Sequence, residues 1–252
     1  MILRVVTLVR LIIHIFLGIV LLFFSGAFWN SKSQWVKRCK QWWLRCIIQL
    51  LKVHVEVQGS IPAPQDGRGI LYVSNHVSWV DIPLLGGLLQ FNFLSKAEVQ
   101  NWPLIGKLAE SVGTLFIKRG AGEAANVSRQ IASYLDEGRS VLFFPEGTTS
   151  DGTQVRRFHT RLFRACEWTD VTLCPLVIHY RIVGKEINPV PYIDDDEIGT
   201  HLWNLLRYRN IQATVRFLPT RALPRENLDQ TIRQLHKEVE DGLKQMQSNP
   251  SN

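Results

Sequence analysis

Cysteine is scarce in this sequence, and the short motifs of several large enzyme classes are missing. Only four cysteines occur among 252 residues, and none of them forms a Cys-x-x-Cys pair. We therefore expect neither a zinc site nor a disulfide framework, and a reducing, cytoplasmic environment is the simpler interpretation. The sequence also has no Walker loop, no Gly-x-Gly-x-x-Gly and no Gly-x-Ser-x-Gly. These absences argue against phosphate-loop, dinucleotide-binding and serine-hydrolase chemistry.

What is present is positive charge and apolar surface. The net charge is +7, the hydrophobic content is 46%, and eight tryptophans occur. This composition fits a globular protein that touches a membrane and excludes a disordered chain. The charge suits an anionic partner, which means phospholipid head groups, phosphorylated substrates or nucleic acid.

The first fifty residues carry a long apolar run. Residues 11–28 contain one ionisable side chain, His14, and their length is close to the roughly 20 residues that span a bilayer. A cleaved signal peptide is the alternative, although Ser25-Gly26-Ala27 only weakly resembles a cleavage site. We expect this segment either to cross the membrane or to enter one leaflet.

The next segment, residues 33–52, has the pattern of an amphipathic helix capped by Ser31 or Ser33. Trp35 and Trp42 recur on one face, and lysine and arginine lie mostly away from it. Indole rings beside a cationic face favour a membrane interface over the alternative, an ordinary core helix with a solvated face. Residues 1–52 are therefore predicted to form a membrane-associated helix pair, with the remainder of the chain in the cytoplasm.

Residues 53–252 are predicted to form one α/β domain with a mostly parallel sheet flanked by helices, because strand and helix patterns alternate. The predicted strands are 53–59, 70–74, 91–96, 114–120, 140–144, 172–180 and 211–219. The predicted helices are 82–89, a broken stretch over 98–113, 123–138, 160–168 and 225–247.

Polar clusters follow three of the predicted strands. They are NHVSWVD at 75–81, KRG at 118–120 and PEGTTS at 145–150. Each alone is most often a structural turn, but functional groups gather at the carboxyl ends of strands in such sheets. We therefore expect a site where the three meet.

The first cluster pairs a histidine with an aspartate. His76 is suited to take a proton near neutral pH, and Asp81 can fix its tautomer and favour the imidazolium. Residues five apart on one straight helix point about 140° apart. The two side chains can therefore meet only if His76 lies in the turn and Asp81 in the helix, where Asn75 and Ser78 could brace the turn. Because no protein nucleophile is evident, the nucleophile is predicted to be a substrate hydroxyl.

NHVSWVD, FIKRG, FPEGTTS and LCPLVIHY have the order and approximate spacing of the four blocks of glycerolipid acyltransferases. Over residues 53–220 the chain resembles bacterial 1-acyl-glycerol-3-phosphate (lysophosphatidate) acyltransferases, and the N-terminal helix pair is also typical of them. The resemblance implies a membrane O-acyltransferase of the bacterial inner membrane, with its catalytic domain facing the cytoplasm. The acyl donor would be acyl-CoA or acyl-carrier protein, the acceptor a lysolipid, and no metal or cofactor is expected.

The resemblance also implies residue roles. His76 would be the general base and Asp81 would orient it. The acceptor site would include the following residues: Lys118, Arg119, Glu146, Gly147 and Thr148.

Thr149 departs from the phosphate-acceptor pattern. Lysophosphatidate acyltransferases commonly have arginine there, and threonine cannot make the bidentate phosphate contacts of arginine. The third block also resembles that of lyso-ornithine lipid O-acyltransferases. The remaining positive charge, which includes Arg156, Arg157 and Arg161, ranks a phosphate acceptor slightly ahead.

Two other functional classes are compatible with the composition. A non-catalytic membrane-binding protein could keep this fold, but the intact motif residues argue against it. Nucleic-acid binding is suggested only by the positive charge, which concentrates near the N-terminal helices rather than in an aromatic groove.

Overall fold

The computed structural model describes residues 1–25, 33–64, 66–102, 106, 109–110, 114–117, 121–185, 188–193 and 196–248. The helices are α1 Ile2–Ser25, α2 Gln34–Leu50, α3 Asp81–Leu88, α4 Ala97–Gln100, α5 Ala121–Asp136, α6 Ile198–Leu205 and α7 Leu228–Ser248. The strands are β1 Val53–Gln58, β2 Ile70–Ser74, β3 Asn92–Lys96, β4 Leu115–Ile117, β5 Val141–Phe143, β6 Val171–Ile182, β7 Ile211–Phe217 and β8 Arg221–Leu223. Residues Arg161–Glu167 form a 3₁₀ helix.

The eight strands form one sheet in the order β1-β7-β6-β2-β5-β3-β4, with β8 paired to β6. Pairing is parallel except for β6 with β7 and β6 with β8. The predicted α/β fold with a mostly parallel sheet is thus confirmed. The predicted division into residues 1–52 and 53–252 stays a prediction.

Two segments that the sequence pattern did not predict complete the fold. β8 is only three residues long and pairs with β6 alone, so no periodicity marks it. Helix α6 contains Gly199 and Thr200, which are poor helix formers, but Leu205 at its end is buried and fixes it to the core. Burial against the core, rather than intrinsic helix propensity, therefore stabilises this helix.

Apolar residues fill both faces of the sheet. One cluster joins Leu11 of α1, Leu44 of α2, Leu85 of α3 and Leu205 of α6 to the sheet. The other cluster lies against α5, the 3₁₀ helix and α7, and includes Leu235 of α7. The N-terminal helices therefore pack on one face of the sheet and the C-terminal helix on the opposite face.

Helix α1 leaves much of its apolar surface open. Ile2, Phe16 and Phe24 are exposed, as are several of the aliphatic residues between them. Within the described part of the chain, no helix is both long enough and apolar enough to cross a membrane, and the alternative that this segment enters one leaflet stays a prediction.

Helices α1 and α2 interlock around Trp43. A Cβ atom at Gly18 would lie 2.6 Å from Cε2 of Trp43, so only glycine permits this approach. The indole Nε1 donates to the carbonyl of His14 at 2.9 Å, and the His14 and Trp43 rings stack. Ser33 accepts from the backbone N–H of Trp35, which confirms the predicted cap of α2.

Helix α2 also holds the end of α3. Arg45 donates to the carbonyl of Gly87 from Nη2 at 3.0 Å, and Gln41 donates to the carbonyl of Leu88 at 2.7 Å. Carbonyls of a last helical turn have no partner within their own helix, and a cation there favours the helix dipole. Polar residues of α2 thus cap the two-turn helix α3, while Trp35 and Trp42 remain exposed on α2.

Candidate active site

His76 and Asp81 meet just beyond the carboxyl end of β2. β2 ends at Ser74, and Asp81 is the first residue of α3. The turn between them folds back, so that Nδ1 of His76 lies 2.8 Å from Oδ2 of Asp81. The predicted arrangement, with the histidine in the turn and the aspartate in the helix, is the one observed.

Asp81 is fully buried and accepts several hydrogen bonds. Its Oδ2 accepts from the backbone N–H groups of Val77 at 2.8 Å and Ser78 at 3.0 Å, in addition to His76. Its Oδ1 accepts from the Tyr180 hydroxyl at 2.6 Å. A buried carboxylate is stable only when so many donors surround it. The turn geometry and the orientation of His76 therefore depend on one side chain.

The bracing predicted for Asn75 and Ser78 is only partly correct. The Asn75 side chain donates to the carbonyl of Ile178 and accepts from its N–H, at 2.9 and 2.8 Å, which ties the turn to β6. Ser78 contributes its backbone N–H instead of its hydroxyl, whose oxygen is buried without a hydrogen-bond partner among the described residues. The N–H groups at the start of α3 are taken by backbone carbonyls instead: those of Asp81 and Ile82 donate to the carbonyls of Ser78 and Trp79 at 3.0 and 3.3 Å.

The His76 ring stacks on Phe144, with 3.8 Å between ring centroids and 8° between planes. Its side chain keeps 18% of its surface exposed, whereas Asp81 has none. Among the residues that the structure describes, Nδ1 is the only nitrogen of this ring with a hydrogen-bond partner. The Nε2 atom is therefore the one available to a substrate.

Glu146 connects the first and third sequence blocks from inside the protein. Its Oε1 accepts from the backbone N–H of His76 at 2.7 Å, and its Oε2 accepts from that of Arg156 at 2.8 Å. Only 3% of the residue is exposed. Burial raises the pKa of Glu146 to about 7, against the opposing effect of these two hydrogen bonds.

The raised pKa gives a testable dependence of stability on pH. Because the folded pKa of about 7 exceeds the ordinary value of 4.5, Glu146 lowers the free energy of unfolding as pH rises through this window. We expect Glu146→Gln to be less stable than the wild type near pH 4.5, because its amide nitrogen cannot accept from one of the two backbone N–H groups. This deficit should shrink as pH rises past 7, because only the wild type then carries a buried charge. Chemical denaturation across this range measures the difference. A deficit that stays constant between pH 5 and pH 8 would show that burial does not raise the pKa of Glu146.

The third block forms a turn at the same edge of the sheet. Gly147 has φ +72°, a conformation that favours glycine, and its N–H donates to the carbonyl of Phe144 at 3.1 Å. Gly147 and Thr148 are exposed, and the flanking residues Glu146 and Ser150 are hydrogen bonded to the backbone of His76 at 2.7 and 2.8 Å. The predicted site residues Lys118 and Arg119 lie outside the described residues.

Thr149 is engaged by the protein itself. Its hydroxyl donates to the carbonyl of Tyr192, whose N–H donates to the carbonyl of Val77 at 3.0 Å. The segment around Tyr192 therefore links the third block to the first. Neither this segment nor Tyr180 was predicted as part of the site: the segment carries no motif, and Tyr180, at the end of the fourth block, was given no role.

The geometry supports a proton transfer at Nε2 of His76. A buried carboxylate holds the opposite nitrogen, Nδ1, and would face the positive charge that forms on the ring when Nε2 takes a proton. The exposed turn of the third block lies beside it, and no serine or cysteine nucleophile is hydrogen bonded to the imidazole among the described residues. The attacking group would then come from a substrate.

Comparison with known proteins agrees with the sequence blocks. The family model described as Acyltransferase matches residues 53–179. A lyso-ornithine lipid O-acyltransferase of Pseudomonas aeruginosa is 41% identical over 201 residues, which cover 79% of this chain and 76% of that protein. A 1-acyl-sn-glycerol-3-phosphate acyltransferase of Neisseria meningitidis is 29% identical over 175 residues, which cover 69% and 68%.

A solved structure has the same fold. The crystal structure of the 1-acyl-sn-glycerophosphate (LPA) acyltransferase PlsC from Thermotoga maritima superposes with a TM-score of 0.70 at 19% identity. The match covers 99% of this chain and 100% of that one. With the family match and the 41% identical relative, the chain belongs to the Acyltransferase family.

Proposed function

We propose that the protein transfers a fatty acyl group from a thioester to the free hydroxyl of a lysolipid, with His76 as general base. Nε2 takes the hydroxyl proton as the lipid oxygen bonds to the thioester carbonyl carbon. The carbon–sulfur bond then breaks, and the leaving thiolate takes the proton from the imidazolium. No covalent acyl-enzyme and no cofactor are needed.

One observation carries this proposal: the His76 ring is held at Nδ1 by a fully buried carboxylate and is open at Nε2. This arrangement fixes the tautomer, so that the lone pair of Nε2 faces the side from which substrate can enter. Holding the acceptor hydroxyl and the thioester together would supply the remaining rate enhancement by proximity.

We further propose that the acceptor is a lyso-ornithine lipid. Thr149 stands where a phosphate-binding arginine is common, and its hydroxyl is already bonded to the carbonyl of Tyr192. The 41% identical relative from Pseudomonas aeruginosa is a lyso-ornithine lipid O-acyltransferase. These two observations rank lyso-ornithine lipid ahead of lysophosphatidate, which positive charge alone had ranked first.

Lysophosphatidate is the second candidate acceptor. Arg156, Arg157 and Arg161 follow the third block and are exposed, so they offer positive charge to a phosphate group. The 29% identical relative from Neisseria meningitidis is named for this reaction. Sequence identity and Thr149 both rank this candidate below the aminolipid.

We propose that the enzyme works at the cytoplasmic face of the bacterial inner membrane, with the helix pair seated on the lipid surface. The exposed Trp35 and Trp42 on α2 and the exposed apolar side chains of α1 support this placement. A lysolipid acceptor then reaches the site from the bilayer, and acyl-CoA or acyl-carrier protein arrives from the cytoplasm.

A side-by-side assay tests which lysolipid is the preferred acceptor. Purified full-length protein receives lyso-ornithine lipid or lysophosphatidate, each with acyl-CoA or acyl-carrier protein, and transfer of radiolabelled acyl chain is measured. We expect kcat/KM to be at least about tenfold higher with the aminolipid, within the range that pocket contacts discriminate. Equal or greater transfer to lysophosphatidate would favour the second candidate. Failure with both acceptors and both donors would instead favour a non-catalytic membrane-binding protein.

A further inference from the structure

A concave site lies beyond the end of β6. Its volume is about 280 Å³, and the side chains that decide its chemistry are Val183, Lys185, Arg207, Tyr208 and Arg209. We call it the cationic cavity. Within the described part of the chain, no carboxylate pairs with its lysine or its two arginines.

Strand register places the cationic cavity apart from the catalytic pair but at the same edge of the sheet. Ser74, the last residue of β2, is paired with Leu176 in the parallel strand β6, which continues to Ile182. Six further residues at about 3.3 Å each extend roughly 20 Å past the end of β2. The residues that line the cavity are therefore not those that hold His76 and Asp81, although Tyr180, which donates to Asp81, lies two residues before the lining residue Ile182.

The cationic cavity also adjoins the N-terminal helices. Val53, which follows α2, is paired with Ile211 at the start of β7, directly after the cavity residues 207–210. On the preceding helix α6, the Trp203 ring lies 5.8 Å from the guanidinium of Arg4 in α1. A membrane that contacts the exposed faces of α1 and α2 would therefore also lie close to the cationic cavity.

The side chains that line the cationic cavity favour an anionic ligand at a lipid surface. The two arginines are exposed, and the Lys185 ammonium lies 5.5 Å from the centre of the Tyr208 ring. Arginine matches phosphate geometry, and tyrosine is enriched at the level of lipid head groups. Val183 is 54% exposed at the rim, where an apolar side chain suits the lipid boundary better than water does.

We propose that the cationic cavity binds the phosphodiester head group of an anionic bilayer phospholipid that is not consumed in the reaction. The bound head group adds an electrostatic contact to the apolar contacts of α1 and α2, and it orients the sheet edge that carries His76 toward the membrane. This proposal rests on the proposed function only for the seating of the helix pair on the membrane.

Vesicle binding by matched variants tests the cationic cavity. Full-length wild type is compared with Arg207→Gln/Arg209→Gln and with a control, Arg233→Gln/Lys237→Gln, which removes the same charge from exposed positions of α7 on the opposite face of the sheet. Co-sedimentation is measured with phosphatidylcholine vesicles that contain or lack phosphatidylglycerol. Two arginines near an anionic surface correspond to a loss of affinity of about 30-fold.

We expect that loss only for the cavity variant and only with phosphatidylglycerol, while the control stays within about threefold of wild type. Equal losses in both variants, or no loss in the cavity variant, would overturn the proposal. Saturable binding of inorganic phosphate in calorimetry without a vesicle effect would assign the cavity to a soluble anion and overturn its lipid assignment. In neutral detergent micelles both variants should retain wild-type acyl transfer, so this result is separable from failure of the proposed reaction.

Discussion

Replacing His76 with alanine is expected to lower kcat for acyl transfer by about a thousandfold, in the middle of the range for loss of a general base. The ring supplies the only side-chain base that the structure holds between a buried carboxylate and an open face, among the residues described. Without it the acceptor hydroxyl must lose its proton to water. Radiolabelled acyl transfer with purified protein in detergent micelles measures the loss.

A second histidine provides the matched control. His54 lies exposed on the edge strand β1, and His54→Ala should retain wild-type activity within a few-fold. Thermal unfolding should show that His76→Ala remains folded, because the backbone N–H of residue 76 still reaches Glu146. Activity of His76→Ala within a few-fold of wild type would exclude this residue as the base.

The catalytic pair could be predicted because its chemistry is local. His76 and Asp81 are separated by one turn, and the apolar strand before them and the helical pattern after them fix that turn. Their roles in catalysis remain predictions that His76→Ala and Asp81→Asn test. The geometry between them, however, followed from the pattern and the turn alone.

The supporting residues could not be predicted, because long-range pairing brings them to the site. Tyr180 reaches Asp81 only because β6 lies beside β2, and its position 99 residues later carries no signal of that contact. Glu146 was predicted from its motif as part of an acceptor site. Its carboxylate faces inward and bonds to two backbone N–H groups, which no spacing rule indicates.

The helix pair shows a different limit of sequence patterns. The period of α2 placed polar residues on one face, but it could not show that Gln41 and Arg45 cap α3. Gly87 favours that contact, because a Cβ atom there would lie only 3.1 Å from the Cα of Arg45. Through α3, which begins at Asp81, helix α2 and the turn that holds His76 belong to one packed unit.

The second large effect is expected from Asp81→Asn, which tests the charge of the carboxylate separately from its hydrogen bonds. The amide oxygen can take the position of Oδ2 and accept from His76, Val77 and Ser78. The amide nitrogen then faces the oxygen of Tyr180, which can accept a hydrogen bond. The asparagine variant should therefore fold and keep the tautomer of His76.

What Asp81→Asn removes is the negative charge that stabilises the imidazolium during transfer. We expect kcat to fall by about a hundredfold to a thousandfold, with a much smaller change in KM and in the unfolding temperature. Steady-state kinetics and thermal denaturation of the same preparations provide both measurements. A rate within a few-fold of wild type would show that orientation, rather than charge, is the contribution of Asp81.

Tyr180→Phe is the matched control, because it removes a neutral partner of Asp81 and keeps the charge. The phenyl ring leaves Oδ1 buried without its donor, so the protein should lose about 1.5–3 kcal/mol of stability. Its kcat should fall less than tenfold, since Asp81 still faces Nδ1 of His76. The two variants are thus expected to be opposites: Asp81→Asn stable and nearly inactive, Tyr180→Phe active and less stable. If both lost activity in proportion to stability, Asp81 would act by holding the turn together rather than by favouring the imidazolium.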